Sequence, residues 1–79
     1  MTTTVNYYGM LAEKLNMNSE TVSIEVDQDQ FNLRNFFEEL HPELKNMSFQ
    51  IAVNQEITDT IKSTTNIQEI AMLPPFAGG

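Results

Sequence analysis

The sequence contains no cysteine and no tryptophan, only three glycines and one histidine, and four Lys/Arg against eleven Asp/Glu. Each shortage excludes something. Without cysteine there can be no disulfide, no thiolate zinc site and no side-chain thiol to carry sulfur, a thioester or a redox equivalent. The lone imidazole, His41, rules out metal motifs built on two histidines. Gly9 is the only glycine before the final two residues, so no glycine-rich phosphate loop is present. A net charge of −7 repels phosphate backbones and anionic lipid, so neither nucleic acid nor a membrane is an expected partner. A basic protein surface is. No run approaches the roughly 20 apolar residues of a membrane helix. Met1-Thr2-Thr3-Thr4 lacks the basic start of a signal peptide, so a cytoplasmic location is expected.

What remains is enough for one domain of 79 residues. The 41% hydrophobic content, with five Phe, two Tyr and five Met, must supply the core by itself. At 19% charged residues the chain is too apolar for a disordered acidic tail.

The apolar spacing changes period along the chain. Thr3 to Tyr8 is rich in β-branched and aromatic residues and reads as a strand that Gly9 breaks. Met10 to Leu15 reads as a short helix with Leu11 and Leu15 four apart. Val22, Ile24 and Val26 alternate with polar residues, predicting a strand over Thr21 to Val26 and a turn over Asp27 to Gln30. Asn32 is a suitable N-cap for a second helix, with Phe31 and Phe36 at the two positions of a hydrophobic staple. Leu33, Phe36, Phe37 and Leu40 form its apolar stripe, and Pro42 ends it. After a polar link, Phe49, Ile51 and Val53 mark a third strand, followed by an Asn54-Gln55 turn and a short segment near Glu56 to Thr58. Asp59 to Gln68 reads as a loop whose Ile61 and Ile67 touch the core. Ile70 to Leu73 is a last strand stopped by Pro74-Pro75. The order is that of an α+β domain with a helix packed on one sheet face.

Internal catalysis has little to work with. His41, in the last turn of the second helix, complements the helix dipole. No serine lies in a nucleophile elbow, Glu38-Glu39 sits on the wet helix face, and the methionines are read as core fillers. The C-terminal segment is different. From Ile70 to Gly79 no side chain is ionisable, so the segment is cheap to desolvate except for its own carboxylate. Pro74 and Pro75 stop it from pairing with the sheet. Phe76 is an apolar anchor, and Ala77, Gly78 and Gly79 are slim enough for a narrow slot. Four residues of extended chain carry the carboxylate about 13–14 Å beyond Pro75. Such a segment suits delivery of a carboxylate into another protein's active site; without its context it reads equally well as a frayed terminus.

Pro74-Pro75-Phe76-Ala77-Gly78-Gly79, with the strand before it, is similar to the small subunits of molybdopterin synthase, which are ubiquitin-like sulfur carriers. Val5-Asn6-Tyr7-Tyr8-Gly9-Met10-Leu11-Ala12-Glu13 resembles that family's first strand and helix. Ala52-Val53-Asn54-Gln55-Glu56 resembles the segment after its third strand. The resemblance covers essentially the whole chain. It differs at Ala12, where the family often has arginine, and at Asn66-Ile67-Gln68, where an Asp-Gly-Asp turn is common.

The resemblance implies a β-grasp fold: a mixed sheet of about five strands with two helical segments over residues 1–73, and a flexible tail over 74–79. It also implies a chemistry. An E1-like adenylating enzyme, using ATP-Mg, activates the Gly79 carboxylate, and sulfur from a desulfurase converts it to a thiocarboxylate. The tail then enters the large subunit of molybdopterin synthase, in a heterotetramer of two small and two large subunits, and gives sulfur to cyclic pyranopterin monophosphate. Gly79 is then the reactive residue, Gly78 and Ala77 give clearance, and Phe76 and Pro75 act as anchor and stiffener. On this reading the chain binds no cofactor and is a recycled co-substrate rather than a catalyst. A carrier for thiamine or another pathway, a ubiquitin-like modifier and a plain binding module remain as alternatives.

Overall fold

The computed structural model describes residues 1–26 and 30–75. Along the chain run β1 (Thr2–Tyr7), α1 (Met10–Leu15), β2 (Ser19–Ser23), β3 (Phe31–Asn32), α2 (Leu33–Leu40), a 3₁₀ turn (Pro42–Asn46), β4 (Gln50–Val53), β5 (Glu56–Ile57), β6 (Thr60–Ile61) and β7 (Ile70–Leu73). Five strands form one mixed sheet in the order β2-β1-β7-β4-β5, and β3 pairs with β6 separately. β7 lies at the centre, parallel to β1 and antiparallel to β4.

Alternation decides which sheet face is covered. Val5, Tyr7, Val22, Ile51, Val53, Ile70 and Met72 are buried, as are Leu33 and Phe37 of α2. The opposite face carries Thr2, Thr4, Asn6, Thr21, Ser23 and Ile57, and Ile57 is 58% exposed. α2 starts as its residues dictate. The Asn32 side chain accepts a hydrogen bond from the Asn35 N–H at 2.9 Å, and the Phe31 and Phe36 rings meet at 5.9 Å between centroids. α1 ends on Asn16 in the left-handed region (φ 57°), where its short polar side chain is tolerated.

Several expectations need correction. β2 begins and ends earlier than Thr21–Val26, because its register pairs Ser19 with Asn6 and Ser23 with Thr2. That register continues through both hydrogen bonds between Met1 and Ile24, and Glu25 and Val26 are in no strand. Leu40 is 43% exposed: the chain turns into an extended conformation at His41 before this last position of the stripe is covered. The link after Pro42 is a 3₁₀ turn that buries Leu44 completely. Met72 does fill the core, but Met10 is 62% exposed. Of the Asp27–Gln30 turn, Asp27, Gln28 and Asp29 lie outside the described residues.

Candidate functional site

Residues far apart in sequence converge where the chain leaves β7. Val5, Asn6 and Tyr7 pair with Ile70, Ala71 and Met72, and the pairing runs one step further as the Tyr8 N–H donates to the Met72 carbonyl at 3.1 Å. On the other side Gln50 pairs with Leu73. The base of the C-terminal segment is therefore held by β1 as far as Met72 and by β4 as far as Leu73.

Just beyond, Gly9 turns the chain at φ 60°, ψ −132°, a combination that L side chains avoid. A Cβ at Gly9 would stand 3.0 Å from Pro74 Cγ. The absent side chain lets the β1–α1 connection pass against the Pro74 ring. Pro74 is half-buried and Pro75 exposed. Of the candidate site residues, the structure places Pro75 at this exit, while Phe76, Ala77, Gly78 and Gly79 lie outside the described residues. Beside Gly9, the exposed Met10 forms with Glu13, Lys14 and Met47 an open groove of about 450 Å³.

The start of β7 is organised by Asn54. Its side-chain oxygen accepts from the Gln68 and Glu69 N–H groups at 2.7 and 3.1 Å, and its amide donates to the Asn66 carbonyl at 2.9 Å. Asn66-Ile67-Gln68 is thus shaped by a side chain on the turn after β4. Asn54 and Gln55 of that turn both have positive φ (51° and 72°), as a two-residue type I′ hairpin requires. Ala12 packs against the core from α1.

The structure also assembles a polar cluster that the sequence did not reveal. The buried Tyr7 hydroxyl donates to Glu20 Oε2 at 2.6 Å, and His41 Nε2 meets the same oxygen. The Tyr7 and His41 rings are edge-on at 6.0 Å. His41 thus serves β2 through Glu20, and it lies just past α2 rather than in its last turn. Burial, with the Glu20 hydrogen bond and charge, raises the Tyr7 pKa far above the ordinary tyrosine range. The phenol is consequently a locked donor, unsuited to act as a base. Burial works to raise the Glu20 pKa, but the hydrogen bonds from Tyr7 and His41 and the imidazole charge together lower it.

These shifts set opposite pH limits. Glu20 stabilises the fold above the ordinary glutamate value of about 4.3, and this is lost as pH falls through its lower folded value. Tyr7 contributes fully below about pH 10, and that contribution is lost as pH rises toward its folded value. Glu20→Gln is expected to cost about 1–2 kcal/mol at pH 7. The gap to the unmodified protein should close below about pH 4 in pH-dependent urea unfolding. A pH-independent gap would show that the carboxylate charge is irrelevant.

Arg34 ties α2 to the sheet: Nη2 donates to the Phe49 carbonyl at 2.8 Å, the guanidinium lies 4.3 Å from the Phe49 ring centroid, and Asp59 is 3.4 Å away. A second groove, about 360 Å³, lies near β5 and β6, with Glu56 and Lys62 as its ionisable lining. Among the described residues no group of three or more His, Asp or Glu could hold a metal ion, and no helix is long and apolar enough to cross a membrane.

No family model and no curated protein matches the chain. Solved structures do. SAMP1 from Haloferax volcanii is 20% identical and aligns over 100% of both chains with a TM-score of 0.70. The Pyrococcus furiosus protein described as molybdopterin converting factor, subunit 1, is 15% identical, covering 96% of this chain and 99% of its own, with a TM-score of 0.67. These likenesses establish the fold as β-grasp, of the ubiquitin-like kind, with the mixed five-stranded sheet and two helices expected from the sequence.

Proposed function

We propose that this protein is a sulfur carrier working through the carboxylate of Gly79, as the small subunit of a molybdopterin synthase. The observation that carries the reading is the union of fold and exit. The central strand of a β-grasp sheet, paired with β1 through Met72 and with β4 through Leu73, runs into Pro74-Pro75 and the uncharged sequence Phe76-Ala77-Gly78-Gly79. Residues 1–73 are then the body and 74–79 the delivered segment. The described relationship of one structural neighbour to a molybdopterin converting factor supports the choice of acceptor.

The chemistry is the one that the resemblance to molybdopterin synthase small subunits implies. A carboxylate accepts no nucleophile until its oxygen becomes a leaving group, so an E1-like partner transfers AMP to Gly79 from ATP-Mg and releases pyrophosphate. A desulfurase-derived persulfide displaces AMP, and cleavage of the S–S bond by a thiol leaves the thiocarboxylate. The large synthase subunit supplies the catalytic groups for transfer to the pterin precursor. Two loaded carriers serve each dithiolene, in keeping with two small and two large subunits. The negative body fits basic faces on both enzymes.

Intact-mass measurement after incubation with an E1-like enzyme, ATP-Mg and a persulfide donor tests this. The expected product carries one sulfur in place of one oxygen at Gly79. An unchanged mass overturns the carrier reading. Conjugates to lysine that survive denaturation would establish the modifier alternative, and transfer to a thiamine-pathway acceptor would relocate the same chemistry.

A further inference from the structure

β2 is one of the two outer strands of the sheet, with β5 at the other edge, and the hydrogen bonds flanking it show which backbone groups look outward. Met1 and Ile24 exchange both their bonds, and the Tyr7 N–H donates to the Asn18 carbonyl. Antiparallel pairing alternates, so Glu20 and Val22 also bond inward to β1, and Ser19, Thr21 and Ser23 direct their N–H and C=O groups away from it. All three are exposed, and none of their backbone groups has a loop or side-chain partner among the described residues. Nothing on the strand blunts this edge. It holds no proline and no lysine, and its one charge, Glu20, is turned toward Tyr7 and His41.

We infer that β2 pairs with β2 of a second copy of this chain, across a two-fold axis at Thr21. The strand is self-complementary in that register. Thr21 faces Thr21 and Ser19 faces Ser23, so every outward donor meets an outward acceptor, and the facing side chains are uncharged hydroxyls. Two-fold pairing uses up this edge in both copies, so the contact closes as a dimer. The two sheets become one, with the two β7 strands five strand spacings apart, about 24 Å. They point in opposite directions, so their C-terminal ends at Leu73 lie on opposite sides of the dimer. The interface is small, so the dimer is weak and concentration-dependent. Because each copy carries −7, it strengthens with salt. A basic partner on the same edge would weaken.

Sedimentation of the full chain from about 10 μM to about 1 mM, at ~0.05 and ~0.5 M salt, is read alongside residue-resolved amide exchange. The mass should rise from 9.0 kDa toward twice that value, more readily at high salt. The amides of Ser19, Thr21 and Ser23 should gain protection with concentration, while those of Glu20 and Val22 are protected throughout. Thr21→Lys should weaken the dimer at least ~5-fold by placing like charges face to face, although it lowers the net negative charge. Thr21→Pro removes the outward N–H and should abolish dimerisation. A monomer at all concentrations overturns the inference, as does a dimer whose Thr21 amide stays unprotected. So does edge protection by an extended Lys-Val peptide while the chain alone remains monomeric.

Discussion

Gly9→Ala should lower the thermal midpoint by about 10–20 °C, corresponding to roughly 2–3 kcal/mol in a domain of this size. Two costs combine. The backbone at φ 60°, ψ −132° is one that only glycine adopts freely, and holding a side chain there costs about 1–3 kcal/mol. The added methyl also stands 3.0 Å from Pro74 Cγ, and neither chain can easily yield, since Tyr8 before Gly9 and Leu73 before Pro74 are both tied into the sheet. A double-mutant cycle separates the two. Pro74→Ala removes the ring atom that is approached, so the pair of substitutions should cost less than the sum of the singles, by about 0.5–1 kcal/mol. An additive result would assign the whole loss to backbone strain. A loss from Gly9→Ala below about 0.5 kcal/mol would show that the connection relaxes away from Pro74.

That contact also marks where sequence reading stops. Gly9 as a strand breaker and Pro74-Pro75 as a strand stop are local properties and could be read directly. Their meeting depends on β1 and β7 running parallel at the centre of the sheet, which no local pattern encodes. The same division holds elsewhere. The Asn32 cap, the Phe31–Phe36 staple and the ends of α1 and β7 follow from neighbours within five residues and were legible. The Tyr7–Glu20–His41 cluster draws on β1, β2 and the end of α2, and Asn54 closes the approach to β7 from across a hairpin. Such polar contacts have no period. Leu44 was missed because a single apolar residue in a short 3₁₀ turn makes no repeat, and Arg34 because its aromatic partner is on another element. The candidate site was legible to the extent that its chemistry is one-dimensional: an uncharged run of residue types ending in two glycines.

Gly78→Val should leave the body unchanged and remove its use as a donor. Position 78 lies beyond both residues that fasten the segment to the sheet, Leu73 through Gln50 and Pro74 against Gly9. The unfolding free energy should therefore stay within about 0.5 kcal/mol of that of the unmodified protein. In the proposed reaction the last residues thread a slot that admits backbone and little else, and the Gly79 carboxyl must reach the reacting atoms in register. A branched side chain next to the reacting residue displaces it by an ångström or more, which costs on the order of 100-fold in rate. Thiocarboxylate formation and transfer should both fall by at least about that factor, with Gly78→Ala between the two. Mass-resolved time courses with each partner enzyme measure the two steps separately. Gly9→Ala makes the complementary case, since it weakens the fold while leaving the delivered residues as they are. If Gly78→Val loads and transfers at the full rate, the slot is wide. The small residues at 77–79 would then have to be explained by the freedom they give the backbone, not by their size.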